Sequence, residues 1–147
     1  MTRHIAFLAP ILLLTACHAR SSEPKVTEAW VRLPAVAGQP AAAYFTVHGG
    51  HGAKKLVRIE SALAAKTEMH QSMAGMQGMT TMAPLDHVDV PADGTVTFKP
   101  GGNHVMLIGL DPVVKPGTAV PLRFGFADGT TAETEAKTVS AGQDAPY

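Results

Sequence analysis

The chain has 147 residues, of which 46% are apolar and 16% charged, proportions typical of one globular domain rather than a disordered or fibrous polymer. Its 12 basic residues balance its 12 acidic residues, so no net positive field is present to hold nucleic acid, and we expect no nucleic-acid partner. The 14 glycines and 11 prolines, with only 5% aromatic residues, favour an all-β fold with many turns.

The N-terminal residues have the order of an export signal. Arg3 and His4 precede an apolar run from Ile5 to Leu14 that is too short for a transmembrane helix. The run ends in Leu-Thr-Ala-Cys17, which resembles the bacterial lipoprotein signal, whose cysteine is acylated and becomes the first mature residue. We therefore predict a signal peptide over residues 1–16 and lipidation at Cys17. Ordinary secretion with an unpaired Cys17 is the alternative.

Behind the signal, residues 17–25 are polar and include Pro24, so we predict a lipidated tether there and a folded domain over 26–147. Cys17 is the only cysteine, which leaves the domain without disulfides, thiolate metal sites or cysteine nucleophiles. The expected location is the periplasmic side of the cell envelope, with the lipid holding the protein on a membrane.

From Val26 onward, short apolar and β-branched segments alternate with turn residues, which is the pattern of a β-sandwich. Ala62–Met69 is compatible with one helical turn, and Gln71–Thr81 has the composition of a loop. The eight predicted strands are Val26–Leu33, Ala42–His48, Lys55–Ser61, Leu85–Val90, Thr95–Lys99, His104–Leu110, Val120–Phe126 and Thr131–Val139.

Methionines are concentrated in one short stretch. Of the seven in the chain, five fall between residues 69 and 82, and Met106 follows downstream. A methionine stripe usually packs in a core, because the flexible thioether fills gaps. Here, however, Gln71–Thr81 surrounds Met73, Met76 and Met79 with Gly, Gln, Ser and Thr. We therefore expect these thioethers to contact something other than the core.

His104 and Met106 are two residues apart on a predicted strand, so they project from the same face and can approach one ion. His70 and Met82 flank the predicted loop. Imidazole and thioether together suit copper(I), are poor ligands for magnesium or calcium, and are weak for zinc without thiolate or carboxylate. The residues thus indicate a copper(I) or silver(I) site that stays usable in an oxidising compartment.

The stretch Phe98–Leu110, Phe-Lys-Pro-Gly-Gly-Asn-His-Val-Met-Leu-Ile-Gly-Leu, resembles the strand signature of the periplasmic copper chaperones of the PCu(A)C type. Met82 and His104 are separated by 21 residues, as in that family's pattern. Trp30-Val31-Arg32 and Ala43-Tyr44-Phe45 also look like its first strands. The similarity extends from about residue 26 to residue 139.

This resemblance implies a cupredoxin-like, Greek-key β-sandwich with copper(I) bound by His70, Met82, His104 and Met106. It also implies delivery of copper to cytochrome c oxidase assembly, at the CuA site, either directly or through a thiol-containing assembly factor. One departure is that eleven residues, rather than ten, separate His70 from Met82. Met73, Met76 and Met79 are therefore retained as auxiliary metal ligands or substitutes for Met82.

Two other functions compete with the chaperone. A copper-buffering or resistance protein would use the same ligands without handing the metal on. An electron-transfer cupredoxin would share the fold, but a blue copper site needs a cysteine ligand and Cys17 lies in the lipidation signal. No nucleophile elbow or histidine-zinc helix motif occurs, so we do not expect an enzyme.

The remaining histidines are weaker candidates for metal ligands. His48 and His51 lie on either side of a Gly-Gly turn and are a candidate for a secondary copper(II) site, although a surface histidine pair is usually just solvated. His87 stands beside acidic residues on a predicted strand, where an exposed histidine without a special role is the expected outcome.

Overall fold

The computed structural model describes residues 23–75 and 79–147. These residues form ten β-strands and contain no helix long and apolar enough to cross a membrane. The predicted signal peptide, Cys17 and Met76 lie outside the described residues. The strands are β1 Lys25–Arg32, β2 Ala41–His48, β3 Lys54–Glu60, β4 Ala64–Ala74, β5 Thr80–Pro84, β6 Val88–Val90, β7 Thr95–Phe98, β8 Asn103–Leu110, β9 Ala119–Phe126 and β10 Thr131–Val139.

The strands are hydrogen-bonded in the order β5-β4-β8-β2-β1-β10-β9-β3-β6, and β7 pairs with β2 beyond the end of β8. Neighbouring strands are antiparallel except β1 and β10, which run parallel. This sheet folds into a β-sandwich of the cupredoxin-like type, as the sequence predicted. Alternation along each strand sends one set of side chains inward, and in β9 these are Val120, Leu122 and Phe124.

Aromatic contacts between neighbouring strands and across the sandwich close the core. Phe45 on β2 stacks on Phe98 of β7 with ring centroids 4.4 Å apart, and meets the edge of Phe124 at 4.8 Å. All three side chains are fully buried. Offset and edge-to-face pairs of this kind add about 0.5–1.5 kcal/mol each beyond the area they bury. The stack with Phe98 ties β2 to its neighbour β7, and the contact with Phe124 packs β2, which also pairs with β8, against β9.

Two expectations for residues 62–81 were wrong. Ala62–Met69 contains no helical turn, because β4 begins at Ala64, and Gln71–Thr81 is not a continuous loop. Instead β4 runs to Ala74 and β5 begins at Thr80, which together form a hairpin. β4 was not predicted because its sequence lacks the apolar alternation of a core strand. Only Met69 within it is buried. Seven pairings with β8, six of them consecutive from Lys66 to Gln71, supply its backbone hydrogen-bond partners instead.

Candidate metal centre

His70 and His104 face each other across two neighbouring strands. His70 on β4 is the direct antiparallel partner of His104 on β8, and their ring centroids are 6.0 Å apart. Directly paired residues project from the same face of a sheet. A nitrogen–metal bond of about 2.0 Å places a ring centre about 3 Å from the ion, so two rings on one ion have centres at most about 6 Å apart. The observed separation fits one shared ion with little movement.

The two predicted thioethers lie on that same face. Met106 follows His104 by two residues on β8 and is paired with Glu68 on β4. Met82 on β5 is paired with Ser72, two residues from His70 on β4. The three adjacent strands β5, β4 and β8 therefore each contribute at least one candidate ligand, with β4 in the middle. We call these four side chains, His70, Met82, His104 and Met106, the His–Met face.

The opposite sides of β4 and β8 point into the core, which explains why His70, His104 and Met106 lie on the other face of these strands. Val105 and Leu107 alternate with the ligands on β8 and are fully buried, and Met69 precedes His70 on β4 and is buried as well. Turning either strand over would expose these apolar side chains to water. Burial of the inner residues thus sets the register that displays the His–Met face.

His104 is held rigidly. It is 5% exposed, and its Nδ1 lies 3.0 Å from the carbonyl oxygen of Gly102. Because a carbonyl only accepts, the hydrogen must be on Nδ1, which leaves the Nε2 lone pair free for a metal. The Gly102 carbonyl is itself placed by the tight turn between β7 and β8, where Gly101 adopts a φ of +77° and the Gly102 amide donates to the Lys99 carbonyl at 3.0 Å.

His70 presents a nitrogen without a partner. Its Nδ1 is the one buried side-chain polar atom lacking a hydrogen bond within residues 23–75 and 79–147. The other nitrogen, Nε2, lies 3.7 Å from a Glu68 carboxylate oxygen. A buried, unsatisfied nitrogen is costly unless something else binds it, and a metal ion would do so. Each of the two imidazoles therefore has a nitrogen available to bind an ion.

Glu68 adds negative charge at the edge of this face. The Lys66 ammonium is 2.5 Å from its other carboxylate oxygen, and that hydrogen bond lowers the pKa of Glu68 below its ordinary value. The carboxylate therefore remains charged in neutral solution and favours a cation nearby. Sequence reasoning missed Glu68 and the Gly102 carbonyl, although the signal for the first is the two-residue spacing from His70 on a strand.

Donor chemistry restricts what the site can hold. Within the described part of the chain, no three His, Cys, Asp or Glu side chains converge as metal ligands. The His–Met face instead combines two imidazoles with two thioethers, a donor set suited to copper(I). Met82 is 59% exposed, so one side of the site is open to solvent and to another molecule.

The auxiliary methionines lie elsewhere. Met73 on β4 is paired with Thr81 and is therefore on the opposite face of the hairpin from Met82, which is paired with Ser72. Met79 precedes β5 and continues the same alternation, so it also lies on the face away from the histidines. The expectation that Met73 or Met79 substitutes for Met82 assumed a flexible loop, whereas the register of the hairpin places both of these methionines on the face opposite Met82. Met76 lies outside the described residues.

His48 and His51, the candidate pair for a second site, have different hydrogen-bond partners. His48 Nε2 lies 2.7 Å from the Thr27 hydroxyl, whereas His51 Nδ1 lies 3.2 Å from an Asp93 carboxylate oxygen. Separate partners do not support the secondary copper(II) site. His87 is exposed, as expected, but it lies just before β6 rather than on a strand.

Comparisons with known proteins agree with this picture. The family model "Putative lipoprotein LpqE-like" matches residues 25–138. "Putative lipoprotein Lxx21020" of Leifsonia xyli subsp. xyli (strain CTCB07) is 29% identical over 107 residues, which is 73% of this chain. The chain spans 64% of the length of that relative.

Solved PCuAC domains share the fold. The copper-bound PCuAC domain from PmoF2 superposes with a TM-score of 0.66 at 22% identity, covering 84% of this chain and 97% of that domain. The copper(I) form of DR1885 from Deinococcus radiodurans gives a TM-score of 0.61 at 26% identity, covering 87% and 85%. The resemblance to PCuAC proteins that the sequence indicated is thereby confirmed, together with the cupredoxin-like fold.

Proposed function

The chain belongs to the LpqE-like lipoprotein family, and from this membership and the His–Met face we propose that it is a copper(I) chaperone of the bacterial cell envelope. The observation that carries the proposal is the pairing of two imidazoles 6.0 Å apart with two thioethers on the same face. The copper(I) form of DR1885, a 26% identical protein of the same fold, supports the choice of metal.

In this proposal His70, His104, Met82 and Met106 bind a single copper(I) ion, which is cargo. His104 binds through Nε2, because its Nδ1 donates to Gly102. Thioethers require no deprotonation and do not form disulfides, so the site keeps its ligands in an oxidising compartment. The exposed Met82 is the ligand that an acceptor replaces first, since it can leave while the buried His104 still holds the ion.

The acceptor in our proposal is a copper-binding subunit of cytochrome c oxidase, at its CuA site, or a thiol-containing assembly factor that serves it. Thiolate binds copper(I) more strongly than thioether, so transfer toward such an acceptor is downhill. Acylation at Cys17 and an envelope location on the periplasmic side would keep donor and acceptor at the same membrane. The lipoprotein names of the family and of its Leifsonia relative support the anchor.

The test is a copper(I) titration of the full-length protein against a competing chelator, followed by mixing with a dithiol acceptor. We expect one equivalent of copper(I) to bind tightly, to require the side chains of the His–Met face, and to pass to the acceptor on mixing. Zinc should bind much more weakly. Absence of a tight equivalent would overturn the proposal. A deletion strain separates chaperone from buffer, because loss of a chaperone lowers oxidase activity when copper is scarce, whereas loss of a buffer raises copper sensitivity.

A further inference from the structure

The side of the β4–β5 hairpin turned away from His70 carries its own thioethers. Met73 is paired with Thr81, and one step nearer the tip the Gly75 amide donates to the Met79 carbonyl at 2.6 Å. Continuing the register, Met79 stands opposite Gly75, so Met73 and Met79 project from the same face. They are diagonal neighbours across the two strands.

Core packing does not account for these two methionines. Met73 is 46% exposed and Met79 is 66% exposed. Met69 lies on the same face of β4, closer to the sandwich, and is buried in the apolar core. The hairpin therefore extends past the core with two long apolar side chains side by side in solvent. Their exposure costs solvation free energy that a role in packing would avoid.

The hairpin is narrow at this point, which brings the two side chains together. A Cβ added at Gly75 would lie 2.7 Å from the Met79 carbonyl oxygen, so only glycine allows this approach of the two strands. Diagonal neighbours on paired strands have backbone positions about 7–8 Å apart, a span that long, flexible side chains bridge. Both thioether sulfurs can therefore reach one ion without movement of the backbone.

We propose that Met73 and Met79 form a second binding site for a soft monovalent metal ion, copper(I) or silver(I). Thioethers are neutral soft donors that favour such ions over zinc, calcium or magnesium. Two donors leave the remaining coordination positions open, so this site binds more weakly than the His–Met face and exchanges its ion readily. It shares no residue with that face and lies on the other side of the hairpin, so it does not depend on the function proposed above.

The test uses the full-length protein carrying Met76→Leu, with methionine methyl groups labelled with carbon-13, titrated with silver(I). The background substitution removes the one tip methionine that lies outside the described residues. We expect the Met82 and Met106 methyl signals to shift with the first equivalent, and those of Met73 and Met79 to shift together with a second, weaker equivalent. The buried Met69 signal is the internal control and should not shift.

Substitutions identify the ligands. Met73→Leu or Met79→Leu should each abolish the second step and leave the first unchanged, whereas Met69→Leu should retain both, because this swap conserves volume. The proposal is overturned if the Met73 and Met79 signals stay fixed through two equivalents, or if they shift with Met82 in the first step. Loss of the first step with retention of the second would instead overturn the function proposed for the His–Met face.

Discussion

At the scale of single residues, His104 is the most strongly preorganised of the four proposed ligands on the His–Met face. Its ring is buried, and the Gly102 carbonyl fixes which nitrogen is bare. Its neighbours on β8, Asn103 and Val105, project from the opposite side, so neither can take its place. The same holds for Met106, whose neighbours Val105 and Leu107 are fully buried.

We therefore predict that His104→Ala or Met106→Ala lowers copper(I) affinity by more than the roughly 10–100-fold that loss of an outer-shell partner costs. Chelator competition measures the effect. His104→Asn is the matched control, because the side-chain amide can keep the hydrogen bond to Gly102 while supplying no metal-binding imidazole. If His104→Asn kept wild-type affinity with an unchanged circular dichroism spectrum, His104 would not be a ligand.

Met82 is predicted to act differently, because it is exposed and lies on the edge strand of the sheet. We expect Met82→Ala to weaken copper(I) binding less than Met106→Ala does, since three ligands on β4 and β8 remain in place. Adding Met79→Leu should cause no further loss at this site, because Met79 faces the other way. A clear additional loss in the Met79→Leu, Met82→Ala double variant would show that the hairpin turns over and lets Met79 substitute.

At the scale of elements, the turn between β9 and β10 is tied to β3 by charge. The Lys54 ammonium lies 2.5 Å from a carboxylate oxygen of Asp128, and this hydrogen bond, with others from Thr130, lowers the pKa of Asp128 from 3.8 to about 2. Unfolding restores the ordinary pKa, so the unfolded chain binds more protons in this range. The stabilisation is present above about pH 4 and is lost as the pH falls toward 2.

Asp128→Asn should therefore remove part of the loss of stability between pH 4 and pH 2 while leaving copper binding unchanged. Urea unfolding at a series of pH values measures this, with an NMR titration of the carboxyl carbon as a direct check. Asp144, whose side chain is fully exposed, provides a control substitution. Identical pH profiles for wild type and Asp128→Asn would contradict the account of this contact.

The elements differ in how far the sequence could predict them. β8 was predictable because Val105 and Leu107 alternate with His104 and Met106. This period-two pattern indicates both the side that faces the core and the side that carries the candidate ligands. β4 was not, because its backbone is stabilised by pairing with β8 rather than by burial of its own side chains. Tertiary pairing overrides local pattern in such a strand.

The dependence of β4 and β5 on strand pairing also explains which part of the candidate site could be predicted. The identities of the four candidate ligands follow from residue chemistry and from the resemblance to PCuAC proteins, and the structure brings them to one face. The face on which Met73 and Met79 lie could not be predicted from the sequence. It depends on the register of the hairpin, and a shift of one residue would move every side chain of a strand to the opposite face. Glu68 was missed for the same reason, since its place beside His70 depends on β4 being a strand.

At the scale of the whole molecule, the tether and the sandwich are expected to have separate tasks. In our proposal Cys17 carries the lipid and the sandwich binds the metal. Two or three acyl chains, at about 0.8 kcal/mol per buried methylene, anchor a protein stably where one chain does not. We predict that Cys17→Ser releases the protein from membranes without changing copper(I) affinity. Mass spectrometry of the native protein should find acylated Cys17 at its N-terminus, and a free Cys17 thiol would contradict the anchor.

The central claim is that one copper(I) ion is bound by two imidazoles and two thioethers on a single face of the sandwich. X-ray absorption at the copper edge, on full-length protein loaded with one equivalent of copper(I), tests it most directly because it counts sulfur and nitrogen neighbours. We predict a mixed shell of histidine nitrogens and thioether sulfurs, which loses nitrogen in His104→Asn and sulfur in Met106→Ala. A shell of sulfur alone, or one of nitrogen and oxygen alone, would contradict the claim.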